Sequence, residues 1–202
     1  MALLWKTLFL TLLAATFLFL AWILYYPKPA PRSQEEVLSR MIALERDGRY
    51  DDAAKTVQGW SQDSRRDVSR DGLLYEQIAM VYINKAYKKR KSTEDSVHQA
   101  DLNLEKALSL HDQEKSDDLG IDFFEIGSGY EVLGNLPIAE RCQFLQKAGE
   151  LFERQLPLIQ SDTYTAFGKT FSLKPLQVNV KKHLDAVRQK LSSLSCPANV
   201  KR

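Results

Sequence analysis
"GRYDDAAKTV" (residues 48–57) follows the run "VLSRMIALERD" and leads into "QGW". Upstream, Val37, Leu38, Met41, Ile42 and Leu44 recur at helical spacing, so this segment forms a helix with one broad apolar face. Gly48 stands where that helix ends, because glycine enters the left-handed backbone region without a Cβ penalty. Asp51 and Asp52 open a second helix, whose N-terminal end favours negative charge. Ala53, Ala54, Val57 and Trp60 form its inner face. A turn of only a few residues makes the two helices antiparallel neighbours. In that geometry Tyr50 wedges into the corner, and Ala53 is small so that the helices approach closely.

The pattern recurs along the chain. "LLYEQIAMVYINKAY" (residues 73–87) sets Ile78, Ala79 and Tyr82 as large, small and aromatic, and "HQADLNLEKALSL" (98–110) carries Ala100, Leu104, Ala107 and Leu108. "FFEIGSGYEVLGNLPIAERC" then repeats the order with Ile126, Gly127 and Tyr130, followed by Gly134, Leu136 and Ala139. This succession resembles the tetratricopeptide repeat family, whose hallmark is large-small-x-x-aromatic followed by Gly-x-large-x-x-Ala. Leu44, Tyr82 and Tyr130 occupy equivalent places 38 and 48 residues apart, against about 34 in the family. The excess in the second unit falls in "NKAYKKRKSTEDSV", and in the third the expected aromatic position is Gln143, with Phe144 one residue late. The resemblance implies a helical chain in which residues 34–155 form about three TPR-like antiparallel helix pairs, an α-solenoid. An irregular helical bundle of unrelated origin is the second reading.

Beyond the repeats, residues 156–175 hold two prolines and a glycine and no helical stripe, so an irregular segment is expected there. Residues 176–194 carry Leu176, Val180, Leu184, Val187 and Leu191 behind Pro175, a helix that would cap the last repeat. Residues 195–202 read as a disordered tail.

At the other end, "TLFLTLLAATFLFLAWILYY" (residues 7–26) is twenty residues without a charge. A helix of that length reaches about 30 Å, the thickness of a bilayer's hydrocarbon core. Trp5, Trp22, Tyr25 and Tyr26 stand near its ends, and Lys6 and Lys28 bracket it. A cleaved signal peptide would have a shorter apolar run and a small-residue site where "YYPKPAPR" stands. A buried core helix would show a polar stripe. The expectation is therefore all-α, with a retained single-pass transmembrane anchor over residues 1–26, a Pro-rich linker at 27–33 and a domain starting at 34. Ser33 to Glu36 supply a capping-box pattern for that start. The implied location is a bacterial cytoplasmic membrane, with a mitochondrial membrane as the second option and the bilayer as a partner. Basic residues flank both ends, so charge does not set the side on which the large domain lies.

Composition excludes several function classes. A net charge of +2 over 202 residues gives no electrostatic footprint for nucleic acid. Cys142 and Cys196 form no CxxC and have no histidine at zinc-ligand spacing, so neither a metal nor a disulfide framework is indicated. His98, His111 and His183 lack a second histidine or cysteine three or four residues away. "GSGYEVLG" lies within a helical pattern after no strand and is no dinucleotide loop. No catalytic, cofactor or metal site is expected, nor a small-molecule substrate.

The resemblance implies binding through the groove that first helices line. Its inner positions include Leu38, Ile42, Glu76 and Met80, without the Lys and Asn clamp of the family members that grip peptide C-termini, so an apolar or helical segment suits it better. Tyr75, Met80 and Phe123 are the candidate partner contacts. Lys85, Lys88, Lys89, Arg90 and Lys91 form a basic cluster, read as a solvated helix end or as a contact for an acidic partner or lipid headgroups. The expected function is a membrane-anchored scaffold or adaptor, with an assembly subunit of a larger membrane complex as the alternative.

Overall fold
The computed structural model describes residues 33–61, 72–88, 93–114, 119–166 and 169–196. The chain divides between Ser33 and Gln34, and all the elements described belong to the unit Gln34–Arg202. Among the described residues seven α-helices run in order: α1 Gln34–Arg46, α2 Tyr50–Ser61, α3 Gly72–Lys88, α4 Thr93–Glu114, α5 Ile121–Gly134, α6 Arg141–Gln155 and α7 Lys174–Ser193. Packing is strongest within α3–α4 and α5–α6, and α1–α2 packs as closely as α6–α7; α1–α2, α3–α4 and α5–α6 make three successive helix pairs. Successive pairs stack through α2 on α3, α4 on α5 and α3 on α5, and α7 lies along α6.

The corner at residues 46–53 forms as its sequence requires. Gly48 has φ +72° and ends α1. Its N–H donates to the Glu45 carbonyl (2.9 Å) and the Arg49 N–H to that of Leu44 (2.8 Å), so orphan carbonyls of the last turn are satisfied. Tyr50 and Ala53 are both buried. A Cβ at position 48 would meet nothing within 4 Å, so Gly48→Ala tests the backbone alone. We expect it to cost about 1–2 kcal/mol through left-handed strain, read as a lower urea midpoint with an unchanged slope.

Two cores result. Val37, Met41, Tyr50, Ala53, Val57 and Ile78 fill the first, between α1, α2 and α3. The second runs from Ala79 and Ile83 on α3 through Leu104, Ile126, Tyr130 and Phe152 to Val180, Leu184 and Val187 on α7. Helix α3 serves both, which is why its apolar residues spread around it instead of forming one stripe. The α5–α6 pair is close where Gly127 faces the Phe152 ring, 2.9 Å from a Cβ built there, so a small residue is needed. Leu176 and Leu191 pack at the edge of this second core, giving α7 the continuous stripe of a cap.

The third corner departs from the first. Ala139, expected at a buried helix crossing, is exposed in the turn before α6. The helix begins only at Arg141, so Ala139 precedes it, whereas Ala53 already lies within α2. The delay also brings Phe144 inward, stacked on Tyr130 at 6.0 Å between centroids, and leaves Gln143 exposed.

Three further expectations are corrected. Of the segment 156–175, expected to be irregular, the described residues form regular elements: a 3-10 turn, Leu156–Ile159, and two antiparallel strands, β1 Thr163–Ala166 and β2 Lys169–Ser172. The fold is therefore not purely α. Cys142 and Cys196 are joined by a disulfide, so Cys196 belongs to the ordered domain, while residues 197–202 lie outside those described. Finally, no helix among the described residues is long and apolar enough to cross a membrane. Helix α5 has only 14 residues, about 21 Å, and α3 carries Glu76, Lys85 and Lys88. The expected transmembrane helix, and with it the single-pass localisation, is thus not supported. Its residues, 7–26, lie outside those described, as do linker residues 27–32.

Candidate functional site
Helices α3 and α5, each the first of its pair, pack against one another and leave a cavity of about 300 Å³ between them. Leu104 of α4 closes its floor. Gln77 and Met80 come from α3, and Phe124, Ser128 and Val132 from α5. Glycine at 129 lets the floor come close, since a Cβ there would stand 3.1 Å from Leu104. Two carboxylates, Glu76 and Glu125, complete the wall. The cavity is thus apolar below and acidic at one side.

Behind that wall lies a buried charge cluster drawn from three helices. Glu76 of α3 is only 4% exposed. His111, near the end of α4, places Nε2 2.8 Å from Glu76 Oε1 and Nδ1 2.6 Å from Asp122 Oδ2 on α5. The His111 ring rests on the first turn of α3, where a Cβ at position 72 would collide with it, so glycine is required there. Burial pushes the Glu76 carboxyl up to about 7; the His111 contact opposes the shift and a hydrogen bond with Glu125 adds to it. For His111 burial works towards the neutral ring, but the hydrogen bonds of Asp122 and Glu76 outweigh it and raise the pKa to about 10. A protonated ring would donate to Asp122 on one side and to Glu76 on the other.

Of the residues picked out in the sequence, Met80 lines the cavity and is 37% exposed. Tyr75 is half-buried, packed against both cores with Lys106 5.9 Å from its ring centroid. Phe123 is half-buried under the Arg154 guanidinium, 4.2 Å from its centroid, and its neighbour Phe124 is the one that reaches the cavity. The basic cluster does not act as one surface. Lys85 is buried, pairs with Asp51 of α2 at 2.6 Å and ties two helix pairs together, while Lys88 is exposed. Lys89, Arg90 and Lys91 lie outside the described residues.

The Glu76–His111–Asp122 cluster escaped the sequence reading because its members are 35 and 11 residues apart on separate helices. One signal was present: Glu76 sits in the apolar run "LLYEQIAMVY", two residues before the buried Ile78. A charge there needs a partner from a neighbouring helix. No family model matches the chain, and no curated protein or solved structure is significantly similar to it.

Proposed function
We propose that this protein is a tetratricopeptide-like scaffold that binds a segment of a partner protein in the cavity between α3 and α5. Its work is binding rather than catalysis. The carrying observation is the cavity itself, an apolar floor open between two first helices with Met80 and Phe124 in its lining. The volume of about 300 Å³ suits one or two anchoring side chains of a helical or extended segment. The acidic side favours a segment that carries a cation beside its apolar anchor.

The test replaces Met80 and Ser128, both in the cavity lining and neither buried, by glutamate. Exposed positions usually shift stability by under about 0.5 kcal/mol, so the melting temperature should stay near wild type. Interface anchors are worth about 2 kcal/mol or more, so partner affinity should fall at least about thirtyfold. A photo-crosslinker at Met80 should yield a discrete partner adduct that one at the exposed Lys181 of α7 does not. Equal adducts from both positions, or undiminished affinity in the double variant, would place the binding surface elsewhere.

A further inference from the structure
Helix α1 carries a second face. Val37, Met41 and Leu44 turn inward onto the first core. The opposite side presents Glu35, Leu38, Ser39, Ile42, Ala43 and Arg46. All but Leu38 are exposed, and the large aliphatic side chain of Ile42 is 52% exposed. Among the described helices α1 packs chiefly on α2, so it closes one end of the stack as α7 closes the other. A stacked helical array keeps its end faces polar. The outer face of α1 instead has an apolar centre between two charges.

The order of these residues is what identifies the occupant. Glu35, Ser39, Ile42 and Arg46 are spaced four, three and four, the seam spacing of helices that pack side by side. That spacing reads the same from either end. In an antiparallel pair of α1 helices Glu35 meets the partner's Arg46, and Ser39 meets the partner's Ile42. An acid faces a base at both ends of the seam, and a small residue faces a large one at its centre. Leu38 flanks the partner's Ile42, and Ala43 is small enough for close approach. Parallel packing in register would set Glu35 against Glu35 and Arg46 against Arg46. Arg40 and Arg49 are already engaged by Glu36 and Asp52 of their own chain, whereas Glu35 and Arg46 have no ion pair among the described residues. An acid early and a base late in a helix also suit its dipole. The dipole does not require that both share one exposed stripe with Ile42.

We propose that the outer face of α1 is a homodimer interface, in which two copies of this chain pack their α1 helices antiparallel about a two-fold axis passing between Arg40 and Met41. The surface is separate from the cavity between α3 and α5, so it stands whether or not that cavity binds a partner. Contacts of this isologous kind are the commonest route to self-association. At about 1.5 Å of rise per residue the charges of the seam stand about 17 Å apart along the axis. One helix face of that length is a small interface, so the dimer is weak and forms with rising concentration.

The experiment is sedimentation equilibrium of the full chain over a range of concentrations. The expected result is a monomer–dimer equilibrium. Ile42→Glu should weaken it at least about thirtyfold, as loss of a central anchor does. Glu35→Arg and Arg46→Glu should each weaken it about tenfold or more, because each sets like charges against one another at both ends of the seam. Mixed one to one, these two reversed chains should associate with each other as tightly as wild type, since every charge pair is again opposite in sign. All three positions are exposed, so the melting temperature of each dilute variant should stay near that of wild type. A wild-type chain still monomeric at about 0.1 mM overturns the proposal. Undiminished association in Ile42→Glu overturns it by placing self-association on another surface. Failure of the mixture to recover overturns the antiparallel pairing. A monomer whose melting temperature falls sharply on Ile42→Glu also overturns it, and assigns the face to the chain's own residues before Ser33.

Discussion
Phe152→Ala is expected to destabilise the domain by about 3–5 kcal/mol, the usual range for deleting a fully buried aromatic ring. Phe152 is 0% exposed and sits where three helices meet. Its ring lies 5.8 Å from that of Phe124 on α5 and 5.7 Å from the His183 imidazole on α7, and its edge fills the space left by Gly127. Truncation empties contacts with both neighbouring helices, α5 and α7, at once. The surroundings cannot collapse to fill the void, because Gly127 offers no side chain to move inward. Measured as a urea midpoint, the loss should exceed that of Gly48→Ala. A second variant, Gly127→Leu with Phe152→Ala, should recover part of the loss by refilling the space from the other helix. A Phe152→Ala chain that unfolds at the wild-type midpoint would mean that α5, α6 and α7 do not share this core.

That core was largely legible in the sequence. Ile126, Gly127, Tyr130, Val180, Leu184 and Val187 were all picked out by spacing, and all are buried. Helical periodicity reports local geometry, and each of these residues lies in the middle of a helix where 3.6-residue phasing holds. Legibility failed at the ends of elements. Gly48 and Gly134 stand five residues before Ala53 and Ala139, yet one alanine is buried and the other exposed. Gly48 takes a left-handed backbone and ends its helix, whereas Gly134 is still helical and Arg141 opens the next one. The short spacing fixes neither choice. The strand pair at residues 163–166 and 169–172 was missed for a different reason: its strands are four residues each and mostly exposed, so no buried face imposes alternation on their sequence. Of the site, Met80 followed from its place on a first helix, but Phe124 and not Phe123 reaches the cavity. A helix turns about 100° per residue, and the phase of α5 is set by its packing on both α3 and α6. The ionic cluster depended on three helices at once, which no local pattern records.

Reduction of the Cys142–Cys196 bond should lower stability by about 4 kcal/mol. The two residues are 54 apart, and closing a loop of that length removes entropy from the unfolded chain by about that amount in the chain-entropy account. Against the 5–15 kcal/mol typical of a domain this is a large share. Position explains why the bond is worth keeping. Cys142 is the second residue of α6 and Cys196 stands just beyond α7, so the bond ties the start of one helix to the end of the other. Helix α7 has a single partner helix along most of its length, since it packs on α6 and only lightly on α5. Its buried residues are only Val180, Leu184 and Val187. Such an end element detaches before the rest of a stacked helical array. The expected result with a phosphine reductant is a lower urea midpoint and early hydrogen exchange in α7, with α1 and α2 still protected. The double variant Cys142→Ser with Cys196→Ser should match the reduced chain and show no further response to reductant. If the wild-type midpoint is unchanged by reduction, the bond does not carry the end of the array. If α1 and α7 lose protection together, the domain unfolds as one unit and the stacked-array account of its C-terminal helix fails.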